Sequence, residues 1–438
     1  MTFPSATDRE ILRLAVPAFA ALVSEPLFLL ADAAIVGHLG TAPLGGLGVA
    51  AAILQTLLGV FVFLAYGTTS SVARQIGAGD RKAALTQGLD GIWLAVGLGA
   101  LTAAAGFGLA TPLVELFDPA PELVPHAVTY LRISAFGLPS MFVVYAATGV
   151  LRGLLDTRTP LAVAGTACLA NIGLNVVLVY GADLGIAGSA LGTVLAQTGA
   201  AAALVAVVVR AARRHGSPLW PDLPGIRMAG RTGVPLVVRT VTLRASLLVT
   251  TYVATAEGPT SIAAHQLAFT IWTFLSFALD ALAIAAQAMT GQSLGAGDVR
   301  RTHAVTRRLM WWGVGCGAVF AVAVFALRGP LAPLFTPDLA VQQTFAAVLI
   351  LVAVQQPVAG VVFVLDGVLI GAGDGAYLAS AGVITLICYV PLAYAVHLTE
   401  AGLMWLWAAF CGFMLARFVT LVLRERSAAW MVTGATRV

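Results

Sequence analysis

The sequence predicts an all-α integral membrane protein: twelve transmembrane helices in two parallel six-helix repeats. Three observations lead there. The chain is 59% hydrophobic and only 10% charged, with a mean hydropathy of +0.94. A globular chain carries about 25% charged residues, so this one cannot cover a soluble surface. The second observation is a duplication. Gly77-Ala78-Gly79-Asp80 returns as Gly295-Ala296-Gly297-Asp298, close to half the chain length later. In the same register Val16-Pro17 returns as Val234-Pro235, Pro112-Leu113 as Pro330-Leu331, Pro139 as Pro357, and Gly149-Val150-Leu151 with Gly153 as Gly367-Val368-Leu369 with Gly371. So many matches at one offset mark two copies of one unit. The third is the number of apolar stretches about 20 residues long, the length a bilayer demands: there are twelve, six in each copy.

In chain order the spans lie near residues 12–38, 44–74, 84–110, 122–151, 159–181, 185–209, 233–256, 261–293, 303–327, 340–370, 376–397 and 401–423. Six is even, so both copies enter the membrane from the same side and are related by an axis along the membrane normal. The first run has a repeat partner in mid-chain, where no signal peptide acts, so it reads as structure and not as a cleaved leader. Residues 1–209 form an N-lobe and 233–438 a C-lobe. The segment 210–232, with Pro218, Pro221 and Pro224, reads as a cytoplasmic linker. Arg132, Arg239 and Arg244 fall inside spans and Arg328 at the far end of the ninth. The other Lys and Arg residues gather at the termini and the even-numbered connections, which predicts that both termini are cytoplasmic.

Four acids at bilayer depth are candidate functional groups: Glu25 and Asp32 in the first span, Asp280 in the eighth and Asp366 in the tenth. An acid there costs about 2.5–3.5 kcal/mol on insertion scales and is retained for a reason. Glu25 and Asp32 are seven apart and share a helix face, as do Asp280 and Gln287. Pro26 lies between the first two and removes a helical hydrogen bond, marking a bend or hinge. Asn171 and Asn175 form a polar strip at i and i+4 on the fifth span. Arg239 or Arg244 can pair with Asp280 or Asp366, or Arg239 can reach the interface. In register Asp32 faces Thr250, Asp280 faces Val62 and Asp366 faces Thr148. Acids confined to one copy point to specialised halves.

The Gly-Ala-Gly-Asp copies suit tight turns with an aspartate capping the next helix, not a phosphate loop, which needs a strand before it. Cys168, Cys316, Cys388 and Cys411 are scattered singly and show no metal or redox spacing. No cofactor, metal or nucleic acid is expected, and no nucleophile–base or metal-protease pattern suggests an enzyme.

Three stretches resemble one family. Residues 31–40, Ala-Asp-Ala-Ala-Ile-Val-Gly-His-Leu-Gly, are similar to the first-helix signature of the multidrug and toxic compound extrusion (MATE) transporters, in their DNA-damage-inducible F branch. Phe277-Ala278-Leu279-Asp280 with the stretch Gly291–Asp298 resembles that branch's eighth helix and following loop, and Leu365-Asp366-Gly367-Val368 its tenth. The resemblance implies two six-helix lobes around a central cavity and an antiporter coupled to protons or sodium, with Asp32 as a cation-coupling residue. Glu25, Asn171, Asn175 and Thr193 fall around it, and Asp280, Asp366, Gln287 and Arg244 form a second acid cluster toward the substrate cavity. Several members carry an acid where Asn175 stands. A hard cation prefers several oxygens, commonly charged, so a lone buried aspartate suits a proton better than sodium. The expected cargo is a small amphipathic or cationic drug-like molecule, exported by a monomer through a bacterial-type plasma membrane. The alternative is a lipid-linked oligosaccharide flippase of the same superfamily, which needs a strongly basic cavity.

Overall fold

In the computed structural model, which describes residues 6–436, the chain is built of helices, with no strand among the described residues. The first half contains α1 (Ala6–Gly37), α2 (Thr41–Phe61), α3 (Phe63–Gly77), α4 (Arg81–Gly108), α5 (Ala110–Glu115), α6 (Val124–Ala135), α7 (Leu138–Gly153), α8 (Arg158–Val176, closed by a π turn at Val177–Gly181) and α9 (Gly185–Arg214). The second half contains α10 (Leu223–Ala256), α11 (Pro259–Gly295), α12 (Val299–Phe335), α13 (Leu339–Gly371), α14 (Gly375–Thr399) and α15 (Leu403–Arg426). Eleven helices are long and apolar enough to cross a membrane, and the pair α6–α7, bent by 50°, makes the twelfth span.

The duplication is visible in the caps. Helices start at Thr41 and Pro259, at Arg81 and Val299, and at Gly185 and Leu403, each pair one repeat apart. Asp80 caps α4 by accepting from the Ala83 N–H at 2.8 Å, and Asp298 caps α12 by accepting from the Arg301 N–H at 2.8 Å. Gly79 and Gly297 precede these caps at φ 84° and 74°, the left-handed region that glycine enters without a steric penalty.

The Gly149/Gly153 and Gly367/Gly371 motif has a packing cause. A Cβ on Gly149 would lie 2.6 Å from the Ala65 carbonyl oxygen, and one on Gly367 would collide with that of Ala283, its register partner. Gly371 likewise abuts the Gln287 carbonyl oxygen. Small residues let backbones approach closely in membranes, so α7 lies against α3 and α13 against α11.

The expected single span at 122–151 is broken at Phe136-Gly137, ahead of Pro139, whereas its counterpart α13 runs unbroken through Pro357. The proline alone does not break the helix. Gly137, two residues before Pro139, is replaced in the second copy by Gln355, and glycine is a weaker helix former than glutamine by about 1 kcal/mol.

The chain divides into two compact units, Val16–Gly233, and Met1–Ala15 with Val234–Val438. The two chain boundaries are themselves one repeat apart, each just before a helix-interior proline, Pro17 or Pro235. The first turns of α1 therefore belong with the second half, and not with the first as the repeat alone suggests. There Asp8, 1% exposed, accepts from Arg308 Nε at 2.6 Å, Arg308 Nη2 at 2.7 Å and Trp312 Nε1 at 2.8 Å. In the other unit the linker is strapped to α4: Trp93 Nε1 donates to the Leu219 carbonyl at 3.1 Å and Ser217 Oγ to that of Lys82 at 3.1 Å.

Candidate functional site: a buried carboxylate beside a cavity

Within the unit Val16–Gly233, α1, α6, α8 and α9 converge on Asp32, which is 2% exposed. Its Oδ1 accepts from Asn175 Nδ2 at 2.9 Å and from Ser189 Oγ, and its Oδ2 accepts from Tyr130 OH at 2.8 Å. Behind this shell Asn171 Nδ2 donates to Thr193 Oγ1 at 3.1 Å, and Asn175 Nδ2 donates to Asn171 Oδ1 at 3.2 Å. Asn171 and Asn175 are fully buried. A buried charge is tolerable only when it is well hydrogen-bonded, and here the donors to Asp32 are all neutral.

The local sequence explains the assembly. Asn171 and Asn175 sit at i and i+4 on α8, and Ser189 and Thr193 at i and i+4 on α9, so each pair presents one strip. Gly192 lets the two helices close, because a Cβ there would collide with Asn175 Oδ1. Four of the five expected members, Asp32, Asn171, Asn175 and Thr193, are thus brought together as one network, while Glu25, the fifth, lines the cavity beside it.

Tyr130 and Ser189 are its unanticipated members. The hydroxyl at i−4 from Thr193 was the available signal for Ser189. Nothing in the local pattern of α6 marks Tyr130, whose role depends on a partner 98 residues away.

A cavity of about 480 Å³ opens beside this network, enclosed by residues of the same unit. Asp32, Tyr130 and Thr193 line it, with an apolar wall that includes Phe28, Leu54 and Met141. Its charged lining residues are Glu25, Asp32 and Arg152. Glu25 is exposed, and Pro26 lies next to it in α1, which continues as helix through the proline up to Gly37. A cavity of this size, mostly apolar with a few polar groups, suits a drug-sized molecule.

The second acid cluster takes a different form from the one expected. Asp366 accepts from Arg239 Nε at 3.1 Å and pairs with Arg239 Nη2, while Arg417 Nη2 lies 3.6 Å from Oδ1. All three side chains are largely buried, Arg239 12%, Asp366 9% and Arg417 11% exposed. The pairing arginine is Arg239 and not Arg244. Five residues along a helix is a rotation of about 140°, which leaves Arg244 exposed on another face of α10. Nor does Arg239 reach for the interface. The charge pattern groups Arg417 with the arginines at a helix end, yet it lies well inside α15 and points inward. Asp280 is half-buried on α11, and Gln287 is buried two turns later. Among the described residues no group of three or more His, Cys, Asp or Glu side chains is arranged to hold a metal ion.

Comparison with known proteins agrees with this architecture. The MatE family matches residues 17–177 and again 235–395, segments one repeat apart. Protein DETOXIFICATION 44, chloroplastic, of Arabidopsis thaliana is 31% identical over 427 residues, covering 94% of this chain and 80% of that protein. DNA damage-inducible protein F of Escherichia coli is 28% identical over 382 residues, covering 85% and 82%. A solved structure described as MATE in the bent conformation superposes with a TM-score of 0.89 at 22% identity, covering 99% of this chain and 98% of that one. The duplicated helical halves, the membrane-length spans and these matches together make the chain a member of the MatE family, a multi-pass membrane transporter of the multidrug and toxic compound extrusion type and not an enzyme.

Proposed function

We propose that this transporter exports amphipathic organic cations in exchange for protons by alternating access. The first-half cavity takes the substrate and Asp32 is the coupling acid. The observation that carries this reading is the Asp32 network: one carboxylate, held by Tyr130, Asn175 and Ser189 and open to the cavity. A site built of neutral hydrogen-bond donors around a single acid suits a proton. Sodium prefers several oxygen ligands, commonly with more charge. The lining charges, two acids against one arginine, favour a cationic guest and argue against a flippase, whose pyrophosphate calls for a basic cavity.

Coupling follows from competition. With Asp32 ionised, the cavity carries a charge that attracts a cation and needs the surrounding donors. With Asp32 protonated, that attraction is gone and substrate is released. Alternating access converts the competition into exchange, through the differential affinity of the two conformations. Pro26, six residues before Asp32 in α1, lacks the N–H that would bond the Leu22 carbonyl, and is the point where α1 bends as Asp32 changes state. Both termini face the cytoplasm, and the chain works as a monomer in a bacterial-type plasma membrane.

The test is uptake of a fluorescent organic cation into inverted vesicles, with a pH gradient and a sodium gradient imposed separately. Uptake that follows the pH gradient is expected. Uptake that follows sodium and ignores pH overturns the proton assignment.

A further inference from the structure

The first-half cavity has an in-register counterpart in the second half. Ala21, Thr148, Pro160, Val163 and Ala167 line the first. Their partners one repeat on, Arg239, Asp366, Leu378, Ala381 and Thr385, line a second pocket within the other unit. The first measures about 480 Å³ and the second about 10 Å³. Other positions of the wall also change, with Ala51 and Leu54 of the first cavity corresponding to Phe269 and Trp272, but three side chains of the second pocket come together at its centre. Arg239 stands where the first half has Ala21, Asp366 where it has Thr148, and Arg417 where it has Gly199. The two arginines replace small residues with large ones, the aspartate replaces a threonine of similar size with a charge, and the three side chains meet in one ion cluster.

We propose that the Arg239–Asp366–Arg417 cluster is a plug that fills a latent second copy of the substrate cavity and confines the transporter to one cation site. The plug excludes substrate twice over. It occupies the volume, and with two guanidinium groups to one carboxylate it carries a net positive charge that repels an organic cation. The three members hold one another in place, since removing one leaves a buried charge without its partner. Arg239 and Asp366 are therefore specificity-determining residues, and coupling is left to the Asp32 network of the other unit. This inference rests on the reading that the first-half cavity binds the cationic substrate.

The experiment is a fluorescence titration of the purified full-length protein with ethidium, read as sites per chain. Wild type is expected to bind one ethidium. Ala164→Trp, which fills the first-half cavity, reduces this to none. Copying the first half into the second, Arg239→Ala with Asp366→Thr and Arg417→Gly, raises it to two. Refilling the same space with apolar chains, Arg239→Met with Asp366→Leu and Arg417→Met, returns it to one. A cooperatively melting triple variant that still binds one ethidium overturns the plug, as does a second site in the apolar refill. The reverse graft tests the same idea if the triple variant does not fold. Ala21→Arg with Thr148→Asp and Gly199→Arg should abolish binding, and wild-type affinity in that folded protein overturns the plug. The substrate reading fails separately: if Ala164→Trp leaves ethidium binding unchanged, the cation site is not the first-half cavity. The plug is still judged by whether the triple variant gains a site.

Discussion

The two halves place different chemistry at the same address. Where the first half has Asp32, the second has Thr250, and Asn171, Asn175, Ser189 and Thr193 correspond to Tyr389, Ala393, Trp407 and Cys411. In the first half these positions form a carboxylate held by three donors. In the second, Thr250 Oγ1 and Tyr389 OH are 2.5 Å apart, and Tyr389 packs on Phe410 and Phe413, with Trp407 also against Phe410. One site is a buried charge next to open space, and the other is a hydroxyl pair sealed in aromatic rings. A buried acid is costly unless it is used, and the second half removed that cost by becoming apolar. The backbone scaffold is therefore indifferent to the chemistry it carries. The glycine contacts and aspartate caps that make the fold are common to both copies, while the acids are not.

The strongest way to break this comparison is to make the first site resemble the second in charge. Asp32→Asn keeps the shape and removes the titrating group. Proton-driven dye transport in proteoliposomes should fall to the rate of empty liposomes, with the melting temperature nearly unchanged. Full transport by the variant would leave the two halves equivalent.

The next effect is on stability. Asp366→Asn leaves Arg239 and Arg417 buried against a neutral amide. Breaking a buried ion pair from one side costs about 3–5 kcal/mol, so thermal or denaturant unfolding in detergent should show a loss of that order. What transport remains should keep its pH dependence, because the proton is carried in the other half. A variant as stable as wild type would show that the cluster is not holding the second half together.

A finer test sharpens the role of the donors. Ser189→Ala removes one hydrogen bond that favours ionised Asp32, and bonds to charged groups are worth about 1.5–3 kcal/mol. At about 1.36 kcal/mol per pH unit, the midpoint of transport against pH should move upward by about one to two units. The sign follows because losing a donor to the charged form lets the proton bind at higher pH. A downward or absent shift would mean that the Ser189 contact does not bear on the coupling acid.

The smallest effect is expected in the second half. Tyr389→Phe loses the contact with Thr250, worth about 0.5–1.5 kcal/mol, and should lower stability slightly while leaving the pH profile of dye transport in place. A changed profile would give the second half a part in coupling.

Sequence alone determined the class, the span count and the duplication, because hydropathy over a bilayer-length stretch and a constant repeat offset are local or linear signals. It also singled out Asp32, Asn171 and Asn175, since a carboxylate or amide in an apolar helix stands out wherever its partner lies, and the family resemblance added Thr193. It could not tell that Tyr130 and Ser189 complete the network, because tyrosine and serine are unremarkable in a span until a carboxylate 98 or 157 residues away turns toward them. The choice of Arg239 over Arg244, and the inward turn of Arg417, depended on helix rotation and on which helices pack together. That corresponding positions line a cavity of about 480 Å³ in one half and of about 10 Å³ in the other, the latter beside an ion cluster brought together from α10, α13 and α15, is visible only in the packed structure. Volume is a property of the packed fold, and no single helix carries it.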